Sequence, residues 1–263
     1  MLGSWHGSLS ISAISDVKDL EAPGTNGANG ADVATKRPEP NLWSIMQTWI
    51  DALPVATLEQ KEQKNDIQNK YVELVAEIGD TPGLDGHDYV FSHCDLLCGN
   101  VIILQPESSD GHCSNCITPK ISFIDYEYAS PAPAAFDIAN HFAEWAGLDC
   151  DHSAVPTRSQ RREFLTHYVR TFRAKSHPYS SADSLEPAID ELSRQVDLYR
   201  GVPGFYWGIW ALIQAQISQI DFDYAWYSRV RFSEYEAWKA ELDGSRQHEG
   251  KEMPVRERRW AEE

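Results

Sequence analysis

Val90-Phe91-Ser92-His93-Cys94-Asp95-Leu96-Leu97-Cys98-Gly99-Asn100 passes from a short apolar run into a polar loop, and then out again into Val101-Ile102-Ile103-Leu104. Short β-branched and aromatic runs bounded by turn formers read as strands. The histidine, aspartate and asparagine of this H-x-D-x-x-x-x-N therefore fall on one tight loop between two strands. A third run, Ile121-Ser122-Phe123-Ile124, delivers Asp125 and Glu127 at its end as I-D-x-E. The expectation is three short strands, Tyr89–Ser92, Val101–Leu104 and Ile121–Ile124, with residues 105–120 as a polar insertion at a hairpin tip.

Most of the remaining chain carries helical periodicity. Leu42, Ile45, Met46, Trp49 and Ile50 form one apolar face at i, i+3, i+4, i+7 and i+8. A longer charged helix follows over Leu58–Ile78, closed by Gly79 and Pro82-Gly83. Further helices are expected near 136–146, 158–175, 185–199, 204–219 and 222–242. Residues 1–11 carry Met1, Leu2, Trp5 and Leu9 at helical spacing and read as the tail of a helix with something missing upstream. Residues 21–40, rich in Gly, Ala, Pro and Asn, read as a flexible loop. One unit over 1–243 and a frayed charged tail over 244–263 complete the expected organisation.

A chain of 263 residues with 42% hydrophobic content can bury a sizeable core. A formal net charge of −17 argues against nucleic-acid binding and is compatible with a cationic small-molecule substrate. No secretory signal pattern opens the chain, and no apolar run approaches the roughly 20 residues that span a bilayer. Five cysteines, an odd number, fit reduced thiols in a cytoplasmic protein better than a disulfide framework. Cys113-x-x-Cys116 has no second pair at zinc-ligand spacing. No Walker-type phosphate loop occurs.

The loop residues suit phosphoryl transfer, which needs a carboxylate to deprotonate a hydroxyl, and an amide plus a carboxylate to hold Mg²⁺ against phosphates. Their spacing matches the kinase catalytic loop, with I-D-x-E where protein kinases carry D-F-G. Asp95 takes the role of base, and Asn100 and Asp125 that of Mg²⁺ ligands. Glu127 is an auxiliary acid, and His93 buttresses the loop backbone. Asp137 either caps the next helix or supports the site, and Asn140 and His141 are candidate buried hydrogen-bonding residues. Trp207 and Trp210 share a helix face that could simply be core. Together with Tyr224 and Tyr227 of the following helix and an acid such as Glu144 they would also make an ammonium site, since ring faces and a carboxylate both attract cations.

HCDLLCGN, FIDYEYA, FDIANHFAEW and WGIWALIQAQISQIDFDYAWYSRVRFSEY together resemble the choline/ethanolamine kinases, as does the opening LGSWHG. The resemblance implies a protein-kinase-like fold that uses ATP and Mg²⁺ to phosphorylate a small amino alcohol for phospholipid headgroup synthesis. It places Tyr128, Glu144, Trp207, Trp210 and Tyr227 in the amino-alcohol pocket, and it favours the ethanolamine over the choline branch. No glycine-turn strand or phosphate-binding lysine can be assigned before the catalytic loop. The expected fold class is therefore α+β, a C-terminal lobe only, mostly α-helical with a small β element at the catalytic loop, and poorly active alone. Apolar surface left where a second lobe should pack would favour a homodimer. The rivals are a choline kinase, an aminoglycoside-type phosphotransferase, and a non-catalytic module that binds amino alcohol or dimerises.

Overall fold

The computed structural model describes residues 1–9, 11, 37–104, 120–177 and 184–263. Most of the loop expected over 21–40, and nearly all of the insertion expected over 105–120, lie outside the described residues. Helices α1 (Leu2–Ser8), α2 (Leu42–Ala52) and α3 (Leu58–Ile78) lead to β1 (Val90–Ser92). Strands β2 (Val101–Leu104), β3 (Lys120–Phe123) and β4 (Ser130–Ala132) follow. The chain continues through α4 (Ala134–Ala143), α5 (Arg158–Ser176), α6 (Glu186–Tyr199), α7 (Val202–Ile217) and α8 (Tyr224–Leu242). It closes with α9 (Ser245–His248) and α10 (Val255–Ala261).

Local chemistry sets the helix starts. Asn41 accepts from the amides of Trp43 and Ser44 at 2.8 and 3.1 Å, and Ser44 Oγ takes the Asn41 amide in return. Thr57 with Gln60 and Thr157 with Gln160 repeat this reciprocal box at α3 and α5. Helix α7 is buried on every side through its first half, from Val202 to Ile209. A helix that is apolar all round belongs inside the core.

The strands pair as two separate antiparallel ribbons, β1 with β4 and β2 with β3. β4 was not anticipated. Ser130-Pro131-Ala132 has no alternation and contains a proline, and only its pairing with β1 makes it a strand. The tail also differs from expectation. Instead of fraying, α10 docks: the Trp260 indole donates to Asp197 at 2.7 Å, and the Arg161 guanidinium lies 3.9 Å over its ring.

One hydrophobic core runs from Leu2 to Trp260 and takes in residues of α1–α8, α10, β1, β3 and β4. This corrects the expectation of a fold confined to a C-terminal lobe. Elements from nearly the full chain bury against one another in an α+β, mostly helical domain with small antiparallel sheets. No helix among the described residues is long and apolar enough to cross a membrane.

α7 and α8 cross in close contact at Gly204, where an added Cβ would stand 2.5 Å from the Arg231 carbonyl oxygen. Gly204→Ala is therefore expected to destabilise the fold by about 1–3 kcal/mol through overpacking. Urea denaturation of the purified variant checks this, and an unchanged midpoint would show that the helices can part freely.

Candidate active site

Helix α4 holds the catalytic loop from below. Asp137 lies in its first turn and is wholly buried, but it does not cap the helix. Its carboxylate accepts from the amides of His93 (3.1 Å) and Cys94 (2.7 Å) and from His6 Nε2 (3.0 Å). The other ring nitrogen of His6 meets the Tyr168 hydroxyl at 2.8 Å. Burial alone would raise the Asp137 carboxyl, but the His6 bond and charge and the two amides together hold it below the usual range.

One turn on, Asn140 Nδ2 donates to the Cys94 carbonyl at 2.8 Å, and His141 Nδ1 donates to the Leu96 carbonyl at 2.7 Å. Both peptide groups of Cys94 are thus fixed from α4. This holds Cys94 in the left-handed region, at φ 62°. Non-glycine residues stay there only when their surroundings over-determine them. The result is a sharp turn immediately before Asp95.

The ribbon β2–β3 brings in the second half of the site. Val101 pairs with Phe123, and the Ile124 amide donates to the Asn100 carbonyl at 3.1 Å. Asp125 is therefore the neighbour of the residue bonded to Asn100. Its own φ of 64° turns the chain out of the strand. His93 Nε2 donates to the Ile124 carbonyl at 2.9 Å and ties β1 to the same corner.

Asn100 Nδ2 donates to the Asp95 carbonyl at 2.8 Å and to Asp95 Oδ2 at 3.2 Å. With that nitrogen engaged, the amide oxygen is the atom left to accept from a ligand or to meet a cation. Asp95 is only 8% exposed. Burial first, then the charges of Glu144, Asp125 and Glu127, push its carboxyl up to about 7 against the Asn100 bond. Asp125 and Glu127 are exposed at the rim.

This set suits Mg²⁺. Asn100 offers an amide oxygen, and Asp125, next to the residue bonded to the Asn100 carbonyl, offers a carboxylate. No three His, Cys, Asp or Glu side chains among the described residues converge into a metal cage of their own. Mg²⁺ takes few protein ligands and completes its shell with phosphate and water oxygens.

Beside the loop stands an aromatic wall. Trp207 and Trp210 lie on α7 with ring centroids 5.4 Å apart and planes perpendicular, and Tyr128 meets Trp207 edge-on at 5.5 Å. The Trp207 indole donates to Asn140 Oδ1 and the Trp210 indole to the Tyr128 hydroxyl, at 2.8 and 2.9 Å. Asn140 therefore bridges the wall to the catalytic loop. Trp49 of α2 extends the wall, 6.3 Å from Tyr128 and 4.6 Å from Tyr206.

Glu144, just past α4, is buried and takes Arg231 Nη2 of α8 at 3.2 Å. Burial raises its carboxyl, against the pull of Arg231. Tyr227 is buried one turn earlier on α8, its ring 5.6 Å from the Arg231 guanidinium. The residues expected in the pocket thus fall into two groups. Tyr128, Trp207 and Trp210 touch one another, whereas Glu144 and Tyr227 meet through Arg231. Sequence reasoning gave no role to Arg231, His6 or Trp49. The visible signal for Arg231 is its place one turn after Tyr227 on a helix packed against α7.

The choline/ethanolamine kinase family model matches residues 8–236. A probable ethanolamine kinase of Arabidopsis thaliana is 32% identical over 205 residues, which are 76% of this chain and 50% of that protein. Ethanolamine kinase 1 of Mus musculus is 31% identical over 211 residues, 78% of this chain and 54% of that protein. The chain spans about half the length of the curated relatives it matches. Among solved structures, a Plasmodium vivax ethanolamine kinase shares the fold with TM-score 0.61 at 24% identity, covering 90% of this chain and 56% of that one. Because the family match runs over 8–236, the recognition as a C-terminal lobe with its N-terminal lobe missing is corrected to a kinase-like domain spanning nearly the full chain. The chain belongs to the choline/ethanolamine kinase family.

Proposed function

We propose that this chain transfers the γ-phosphoryl group of ATP to the hydroxyl of ethanolamine. The carrying observation is that α4 supports both ends of such a site: Asn140 ties the loop before Asp95 to Trp207 of the aromatic wall, and the buried carboxylate of Glu144, whose charge helps push up the Asp95 carboxyl, follows one turn on. A two-carbon amino alcohol has a hydroxyl for the first carboxylate and an ammonium for the second. The ethanolamine kinases among the relatives support the same reading.

Asp95 accepts the hydroxyl proton as the new phosphorus–oxygen bond forms and ADP leaves. Asn100 and Asp125 would hold Mg²⁺, which when bound neutralises charge on the phosphates. Asn140 keeps the loop and the aromatic wall in register. The indole and phenol faces and the Glu144 carboxylate orient the ammonium. Ethanolammonium carries N–H donors and gains from acceptors such as Glu144 and the Tyr128 hydroxyl, whereas a quaternary ammonium uses only faces and charge.

The test is Mg²⁺-dependent release of ADP by the purified chain with ethanolamine or choline as acceptor. The expected outcome is turnover with ethanolamine and a kcat/KM for choline about tenfold lower or worse. A reversed preference would make the chain a choline kinase. Tryptophan quenching by ethanolamine without any turnover would make it a binding module.

A further inference from the structure

Behind the pocket, the buried charges continue past Glu144. Arg231 is fully buried and reaches two carboxylates: Nη2 meets Glu144 at 3.2 Å, and Nε stands 3.5 Å from Glu234 Oε2. The other oxygen of Glu234 meets His152 Nε2 at 2.8 Å. Arg256 of α10 stands 3.8 Å from Glu234 Oε2 and itself pairs with Glu257 at 3.0 Å. Buried polar atoms are almost always hydrogen-bonded. Here Arg231 Nε, Arg231 Nη1 and Glu234 Oε2 are not. Two of these orphans, Nε and Oε2, are the pair left 3.5 Å apart.

We infer that Glu234 is a positioning residue for the amino-alcohol site, with Arg231 shared between Glu144 and Glu234 and released toward Glu234 when an ammonium reaches Glu144. The inference rests on the proposed role of Glu144. Without a substrate, the guanidinium is the cation facing Glu144. When the substrate supplies its own cation, a small shift of Arg231 closes the Nε–Oε2 gap into a hydrogen bond and satisfies both orphans. Without Glu234 the guanidinium has no second acceptor, stays on Glu144, and competes with the incoming ammonium. The electrostatics agree with this direction. Despite burial, Arg231 and His152 hold the Glu234 carboxyl below its usual range, whereas burial raises that of Glu144.

A merely structural Glu234, tying α8 to α10 and to His152, would behave differently. The discriminating experiment is a double-mutant cycle of Glu234→Gln and Glu144→Gln in the full chain, read by tryptophan quenching with ethanolamine and by steady-state kinetics. Glu234→Gln is expected to weaken ethanolamine binding and raise its KM about tenfold, with kcat and the KM for ATP within about twofold. In the Glu144→Gln background the same change is expected to add less than about twofold, because the coupling runs through Glu144. A tenfold effect that persists in that background, or losses spread equally over kcat and both KM values, overturns the inference. If Glu234→Gln does not fold, Glu234→Asp keeps the charge with a shorter reach. Ethanolamine binding unchanged in that variant also overturns the inference. A wild-type chain that does not bind ethanolamine overturns the functional reading instead, so the two failures are distinct.

Discussion

Asp95→Asn is expected to lower kcat for phosphoryl transfer by about 10²–10⁴-fold, the usual size of a general-base contribution. The amide has nearly the shape of the carboxylate but cannot take the hydroxyl proton. The KM for ethanolamine should change little, because the aromatic wall and Glu144 are untouched. The same variant is expected to be no less stable than the wild type at pH 8. The Asp95 carboxyl is raised by burial and by Glu144, Asp125 and Glu127. A carboxyl raised on folding costs stability as pH climbs from the ordinary value near 3.8 to about 7, and that cost is complete at pH 8. Replacing it with a neutral amide removes that penalty. Steady-state kinetics beside urea denaturation checks both halves. A variant that keeps wild-type turnover would remove Asp95 from the mechanism.

Asp137→Ala should be the most damaging single change to the fold. It leaves the amides of His93 and Cys94 and the ring of His6 without their shared acceptor inside a fully buried site. The expected cost is about 3–5 kcal/mol, the range for removing one partner of a buried charged network. Asp137→Asn should fall between, since one amide oxygen can replace only part of the carboxylate. The pH dependence has a definite sign. The Asp137 carboxyl is depressed, so its contribution is complete above the ordinary aspartate value near 3.8 and is lost as pH falls through the lower folded value. The gap in urea midpoint between wild type and Asp137→Asn should therefore hold steady from pH 7 to about 4 and shrink below that. A gap that closes between pH 7 and 5 would assign the effect to another group.

What could be read from the sequence depended on whether a signal was local. Val90–Ser92 and Val101–Leu104 were legible because β-branched runs abut turn residues, and Leu58–Ile78 because Gly79 and Pro82-Gly83 close it. The loop residues Asp95, Asn100 and Asp125 were picked out by spacing, and β2–β3 pairing explains why that spacing converges. β4 escaped because three residues carry no period. The docked tail escaped because Arg161 and Trp260 meet only in the tertiary fold, across nearly a hundred positions of sequence. Arg231 and Glu234 look like solvated charges on α8 until α4, His152 and α10 are packed around them. The restriction to one lobe came from weighing absent motifs above the core that the present residues build, from Leu2 to Trp260.

The left-handed turn at Cys94 also limits how this site can drift over generations. The residue is fully enclosed, with its sulfur 3.6 Å from Ser130 Oγ, while its backbone sits where most side chains are strained. Glycine would relax the backbone and leave a void. Valine would fill the void and resist the turn. Asparagine tolerates the turn but brings a polar amide needing partners into an enclosed space. Each of these three steps away from cysteine therefore loses packing, geometry or hydrogen bonding, unless a neighbour such as Ser130 changes with it. Position 94 is held in place by two incompatible demands, even though the residue there performs no chemistry of its own.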